Sequence, residues 1–459
     1  MALRGLTVGS DRTLRRDGVR FRNIGLNYVN AVCNFFTATQ TSTFAYTSSA
    51  DQDAMLDVCD SLKVKVLRVK AFPYYPAWWT TYVNGGKTIA AATAADREAH
   101  YLKIDAFLAK CRARGIGVIL NLFFRHATVS DLAGQQVRAG WLTGGSATRN
   151  FAQAITQELV TRYLNEDAVY GYEWSNEVNH KNDAPETVVN PVDGSDPWPV
   201  VNPGQGTRAS YSAAGDMLNG ADLSTIIAWW YGVVSAIDPN RIAITGNGPN
   251  SYSQPGGTAG ISTPLLPWHS EQRRDNPTNC GSIHWYGNVG YGSNGFRGLN
   301  AILTGVRHWQ KQEGRGFVLG EFGNQPWKTT AISTAGGVAT FTTDSKCPAE
   351  PGDRIAMCGT GTALDHQWLT VSTVNGARSS ITAPYAGSVT WSGSVKGLRY
   401  IDGGKLTRMC DDIIKSGTDV ALWWMLDSDP LRPVGESIND TGNDELRAAI
   451  LAANTSLGW

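Results

Sequence analysis

Two glutamates stand at the ends of apolar runs. Ala168–His180 reads Ala-Val-Tyr-Gly-Tyr-Glu-Trp-Ser-Asn-Glu-Val-Asn-His. Its first half has the aromatic density of a buried strand and its second half turns abruptly polar, which puts Asn176 and Glu177 at the strand's carboxyl end. Gly316–Asn324, Gly-Phe-Val-Leu-Gly-Glu-Phe-Gly-Asn, repeats the pattern with Glu321. A carboxylate closing an interior strand needs partners or work to do, because a buried lone charge is costly. Two of them, one protonated and one ionised, are the minimum equipment for cutting a glycosidic bond.

Other strand-like runs carry polar groups of the right kind. Arg68 sits in Val64–Phe72, where it must be paired, either as a core arginine with Glu173 or as a partner of the two glutamates. His284 and Tyr286 share one parity near the end of Gly281–Tyr286, and Trp424 lies in Val420–Leu426. Taken alone, His284 reads equally well as an ordinary core histidine. Glu173 lies deeper along its strand than Glu177 and reads as a structural carboxylate facing the floor of the fold.

These residues need a scaffold that brings strand ends together. Helical stretches at 51–62, 95–114, 149–164, 221–237, 299–313, 404–416 and 443–453 alternate with eight short apolar runs, beginning at Phe21–Val29. Strands apolar on both faces, alternating with helices, describe parallel strands covered outside by helices. The expected fold is α/β, a (β/α)8 barrel whose strands present their carboxyl ends on one face. An open doubly wound sheet is the alternative, but no Gly-rich phosphate turn follows the first strand. The pattern breaks at 329–397, where Thr, Val, Ser and Gly alternate around turns at Pro351-Gly352-Asp353 and Asn375-Gly376. That stretch reads as a small all-β module inserted after strand seven, leaving 1–328 and 398–459 as the barrel, and its ends should pin it at the catalytic rim.

The 40 basic and 40 acidic residues of the 459 cancel, leaving no electrostatic footprint for nucleic acid or an anionic membrane. Charged residues make up only 17% while there are 16 Trp, which favours a neutral, hydroxyl-rich ligand that stacks on rings. Seven scattered cysteines contain no Cys-x-x-Cys pair; Cys347 and Cys358 are the one pair placed to form a disulfide. The first residues lack the apolar core of a signal peptide, and no run approaches a membrane span. The chain is expected to be a monomer; the missing signal fits a cytosolic protein, a secreted mature form or part of a phage particle, and the last two are compatible with action on extracellular polysaccharide.

In their joint order these motifs resemble the retaining β-glycoside hydrolases of the (β/α)8 clan, most closely glycoside hydrolase family 5. Glu173-Trp174-Ser175-Asn176-Glu177 is similar to the family's Glu-x-x-Asn-Glu, and Leu319-Gly320-Glu321-Phe322-Gly323 to its nucleophile strand. The resemblance implies Glu177 as acid/base, Glu321 as nucleophile, Asn176 on the sugar 2-hydroxyl, and Arg68 and Tyr286 steadying the nucleophile. There are departures. Asn121-Leu122-Phe123-Phe124 stands where the family has Asp-x-His-His, with His126 as a candidate substitute, and Val178 replaces the usual proline. Trp424, Trp78 and Trp79, with Tyr74 and Tyr75, are the rings available to line a sugar cleft.

The expected reaction is endo-type cleavage of a β-linked glucan, mannan or related oligo- or polysaccharide by double displacement, with no cofactor and no metal. Two other classes compete with it. One is a catalytically weak carbohydrate-binding or adhesion component of a virus particle, which would not need both glutamates; the module loosely resembles small β-sandwich repeats of such particles. The other is a metal-dependent lyase or isomerase, for which the sequence offers no ligand cluster at strand ends.

Overall fold

The computed structural model describes residues 5–33, 45–73, 93–177, 215, 218, 220–246, 278–286, 299–323, 327–343, 347, 349–357, 360–365, 367–401, 403–426, 438 and 443–459. Eight parallel strands form its centre: β1 (Asn23–Asn27), β2 (Val66–Lys70), β3 (Gly117–Phe123), β4 (Val169–Ser175), β5 (Ile242–Ile244), β6 (Cys280–Tyr286), β7 (Gly316–Gly323) and β8 (Val420–Trp423). Their order is β5-β4-β3-β2-β1-β8-β7-β6, each neighbour parallel, so the sheet curls round with only the β5–β6 seam unpaired among the described residues. Side chains stitch that seam. Asn279 accepts from Ala243 N and donates to Arg241 O, both at 2.8 Å, and Ser282 Oγ accepts from Gly246 N at 3.1 Å. The expected (β/α)8 barrel is the observed fold.

Helices α1 (Ser49–Ser61), α2 (Ala94–Ala113), α3 (His126–Leu132), α4 (Val137–Leu142), α5 (Ala147–Tyr163), α6 (Gly220–Ile237), α7 (Leu299–Gln312), α8 (Gly403–Lys415) and α9 (Asp444–Ser456) surround the strands. Local chemistry sets their ends. Ser48 and Ser146 accept from the N–H groups of Asp51 and Arg149, Thr93 and Asp96 form a capping box, and Gly115 at φ 66° stops α2. The short helices α3 and α4 were not foreseen. No described helix is long and apolar enough to cross a membrane.

The barrel interior holds two layers. Its floor is apolar, with Val66, Ile119, Tyr170, Ile242, Val318 and Leu422 packed on Leu6, Leu14 and Phe21. The last three belong to or flank a small antiparallel sheet, Thr7–Val8, Leu14–Arg16 and Val19–Arg20, which plugs the amino-terminal end and which the sequence reading passed over. Above the floor the inward positions become polar: Asn27, Arg68, Asn121, Glu173, His284 and Glu321 are all buried.

After β7 the chain enters a second sheet. Its order is Leu369–Thr370, Arg354–Ala356, Thr390–Ile401, Trp327–Ala335, Val338–Thr343, Ser380–Pro384, Thr373–Val374. The two ends of that order are halves of one segment, so the sheet wraps onto itself around a core of its own that includes Ile332, Phe341, Ile355, Val371 and Ile381. Asp353 pairs with Lys405 of α8 at 3.0 Å, and Arg354 pairs with Glu445 in the first turn of α9 at 3.1 Å while covering the Trp368 ring. Trp368 packs against the barrel's helix layer, which seats the sheet on these two helices. Cys347 is a free buried thiol, and Cys358, the residue the sequence placed to pair with it, lies outside the described residues.

Candidate active site

Two register shifts aim the carboxylates. Val318 faces the floor and Leu319 faces the helices, so simple alternation would turn Gly320 and Phe322 inward. Instead the pairing with β6 slips between Leu319 and Glu321, which places Glu321 opposite His284 and sends Phe322 out onto Trp423. In β4 the pairing with β3 slips between Val169 and Gly171, after which Glu173 faces inward and Trp174 packs outward on Trp141. Such irregularities re-aim side chains near sites. Close approach demands small residues here: a Cβ on Gly320 would lie 3.0 Å from His284 Nε2.

Arg68 ties the inward groups together. Its Nε donates to Glu173 Oε2, its Nη1 to Glu321 Oε1 (2.6 Å) and Asn27 Oδ1 (3.0 Å), and its Nη2 to Asn176 Oδ1 (2.7 Å). The arginine therefore pairs with the structural carboxylate of Glu173 and with Glu321 at once. Burial alone would pull its pKa down, but Glu173 and Glu321 more than offset that and raise it. The guanidinium is a permanent cation between two carboxylates. Asn121 Nδ2 completes the network, donating to Glu173 Oε2 (2.7 Å) and to Ser175 O (2.9 Å). The motif departure at Asn121 is thus a working member of the network.

Glu177 follows the last residues of β4 in a left-handed conformation, φ 50°, and its N–H donates to Gly246 O at 2.6 Å. Gly246 has φ 76°, and a Cβ there would fall 1.8 Å from Ser175 O, so the position is closed to other residues. The turn brings Glu177 to His284, whose Nδ1 lies 2.8 Å from Glu177 Oε1 and 3.3 Å from Glu321 Oε2. Both neighbours are carboxylate oxygens, which an N–H at Nδ1 would serve. One oxygen of each glutamate and the imidazole nitrogen all fall within 4.8 Å of one another.

That grouping corrects the expectation that no His/Glu cluster forms at strand ends. The Arg68 guanidinium already supplies positive charge to Glu321.

The remaining expected residues divide. Trp424 is buried with Val29, Phe124 and Met425 in a cluster at the carboxyl ends of the strands, and Arg68 lies 5.5 Å from the Phe124 ring. His126 opens α3 and its ring lies on Trp174, on the outward face of β4, so the structure does not bring it to the glutamates. Tyr286 is described by its backbone, as the last residue of β6. Tyr74, Tyr75, Trp78, Trp79 and Val178 lie outside the described residues. Sequence reasoning missed Asn27 and Gly246. A polar residue closing an apolar strand was the available signal for the first, and a glycine at a strand end for the second.

Comparison with known proteins bears on this site. The model of a family described as cellulase, glycosyl hydrolase family 5, matches residues 29–346. No curated protein matches the sequence. Solved structures of similar fold include the endo-beta-1,4-mannanase from Thermotoga petrophila, at 14% identity and TM-score 0.53, covering 95% of this chain and 77% of that one. The endo-1,4-beta-mannanase from Rhizomucor miehei aligns at 11% identity and TM-score 0.55, covering 98% and 99%. The beta-mannanase from blue mussel, Mytilus edulis, aligns at 12% and 0.51, covering 99% and 97%.

Proposed function

The chain belongs to glycosyl hydrolase family 5 and is a glycoside hydrolase, and from that premise we propose that it cleaves a β-1,4-linked polysaccharide internally, with retention, through Glu177 and Glu321. The observation that carries the reading is the approach of the two carboxylates to within 4.8 Å. Retaining enzymes hold theirs about 5 to 5.5 Å apart, whereas inverting enzymes leave about 6.5 to 9.5 Å for a water. β-Mannan is the first substrate to try, since the neighbours of similar fold named above are mannanases; β-glucan is the second.

Glu321, ionised beside Arg68, attacks the anomeric carbon. Glu177 gives its proton to the departing oxygen, so the sugar–oxygen bond breaks as the Glu321–sugar bond forms. Water then enters; its proton goes to Glu177 and Glu321 leaves with the bonding pair. His284, facing both carboxylates, holds them in register, and Asn176, its Oδ1 pinned by Arg68, presents its Nδ2–H to the sugar 2-hydroxyl. Trp424 supplies a ring for the pyranose face.

The test pairs variants with leaving groups. On polymer, Glu177→Gln and Glu321→Gln should each lower turnover by about a thousandfold or more. On a 2,4-dinitrophenyl β-glycoside, whose leaving group needs no proton, Glu177→Gln should still release a burst of phenol and Glu321→Gln should not. Near-full polymer activity in either variant, or an inverted first product by NMR, would overturn the assignment.

A further inference from the structure

Glu173 lies four residues before Glu177 and is fully buried inside the barrel, so it reaches no substrate. Its hydrogen bonds are lopsided. Oε2 takes both Arg68 Nε–H and Asn121 Nδ2–H, whereas Oε1, near Gly246, is buried with no partner among the described residues. A buried ion pair is weak evidence for stability, since an apolar pair of similar shape often does as well. A carboxylate with half its acceptor capacity idle is therefore accounted for by what it does to its partner.

That partner is a planar fork with a fixed set of directions. With Nε held by Glu173 and one Nη1 N–H given to Asn27, the fork turns its other Nη1 N–H to Glu321 and an Nη2 N–H to Asn176. Glu173 also divides the cation between two anions, and both carboxylates contribute to raising the Arg68 pKa. Titratable groups facing Glu321 among the described residues include His284 from β6 and Glu177 from the turn after β4. Lys70, two residues beyond Arg68, acts on Cys33 and His100.

We propose that Glu173 is a positioning residue for the hydrolytic reaction: by occupying the Nε edge of Arg68 it aims the guanidinium at Glu321 and Asn176 and keeps the nucleophile from being over-stabilised. The inference rests on Glu321 being the nucleophile. Its consequence is asymmetric between the two steps. In glycosylation Glu321 spends an electron pair on the anomeric carbon, and a more stabilised anion is the poorer nucleophile. In deglycosylation the same carboxylate departs with that pair as water adds and Glu177 takes its proton, and a more stabilised anion is the better leaving group.

The experiment is stopped-flow hydrolysis of 2,4-dinitrophenyl β-mannobioside or β-cellobioside, whichever the wild type turns over, by full-length Glu173→Gln. The burst rate reports glycosylation, the steady rate deglycosylation, and the burst amplitude counts correctly folded sites. Glycosylation should slow by about tenfold, in the range of one charge-assisted hydrogen bond, while deglycosylation is unchanged or faster. Asn121→Ala, which removes the 2.7 Å bond holding Glu173, should move the ratio of the two rates the same way by less; it decides the matter where the glutamine variant fails to fold. Equal loss in both steps, or an unchanged burst rate at full amplitude, overturns the inference. Retained burst in Glu321→Gln would instead overturn the nucleophile assignment beneath it.

Discussion

Replacing Gly246 by alanine should disable the enzyme out of proportion to the atom added. The residue has φ 76°, a conformation that costs an L-residue about 1 to 2 kcal/mol. The new Cβ would also lie 1.8 Å from Ser175 O, a backbone atom, and must withdraw to at least 3.0 Å. The strand end cannot yield that much without moving Glu177, whose N–H donates to Gly246 O and whose chain leaves Ser175 two residues earlier. Straining that bond adds about 1 kcal/mol, giving a stability loss of about 2 to 3 kcal/mol. A misplacement of about 1 Å in a reacting group can cost about a hundredfold in rate. Gly115→Ala is the control: φ is 66°, but nothing lies within 4 Å of the added carbon. Urea denaturation should show about 1 kcal/mol lost there, with turnover of an activated aryl β-glycoside unchanged. If Gly246→Ala keeps wild-type turnover, or if both variants lose activity alike, the argument that this turn aims Glu177 is wrong.

Three further outcomes are expected. Burial, reinforced by Lys70 and opposed by the Ala71 carbonyl, holds the His100 pKa down to about 4 from 6.5. Between those values the unfolded chain binds a proton that the folded chain refuses, so stability is full above about pH 6.5 and falls by up to about 3 kcal/mol as pH drops toward 4; His100→Gln should flatten that part of the stability profile, and an unchanged slope would exclude His100 as its source. Asn454, fully buried in α9, bonds Ile24 N (2.9 Å), Ile24 O (3.0 Å) and Leu62 O (3.1 Å). Asn454→Ala should cost about 2 to 4 kcal/mol in denaturant titration with turnover per folded molecule intact, and a loss under about 0.5 kcal/mol would refute the bridging role. Exchanging 329–397 for a short Gly/Ser linker should leave hydrolysis of the aryl glycoside in place, because the inserted sheet has its own core, while polymer cleavage or product pattern shifts; loss of both activities would show the barrel depends on the insert, and identical behaviour on both would make it a passenger.

The sequence by itself determined the succession of elements. Apolar runs such as Val66–Lys70 and capped helices such as Ala94–Ala113 are written in residues close together along the chain, where periodicity and capping act. Their boundaries fell within a few residues of expectation, and the polar residues at strand ends drew attention to Arg68, Glu177, His284 and Glu321. Tertiary structure decided which way those residues point. Alternation from Val318 sends Glu321 to the helices, and only the slip against β6 turns it inward, a matter of pairing with Ile283 and His284 that no local pattern records. His126 stood near in sequence to the expected position, yet α3 carries it onto Trp174. Asn121, set down as a departure, and Glu173, set down as floor, join one network because Arg68 reaches both sides of the barrel. Hydrogen bonds spanning 105 and 253 positions are made by closure of the sheet, and only there do the partners meet.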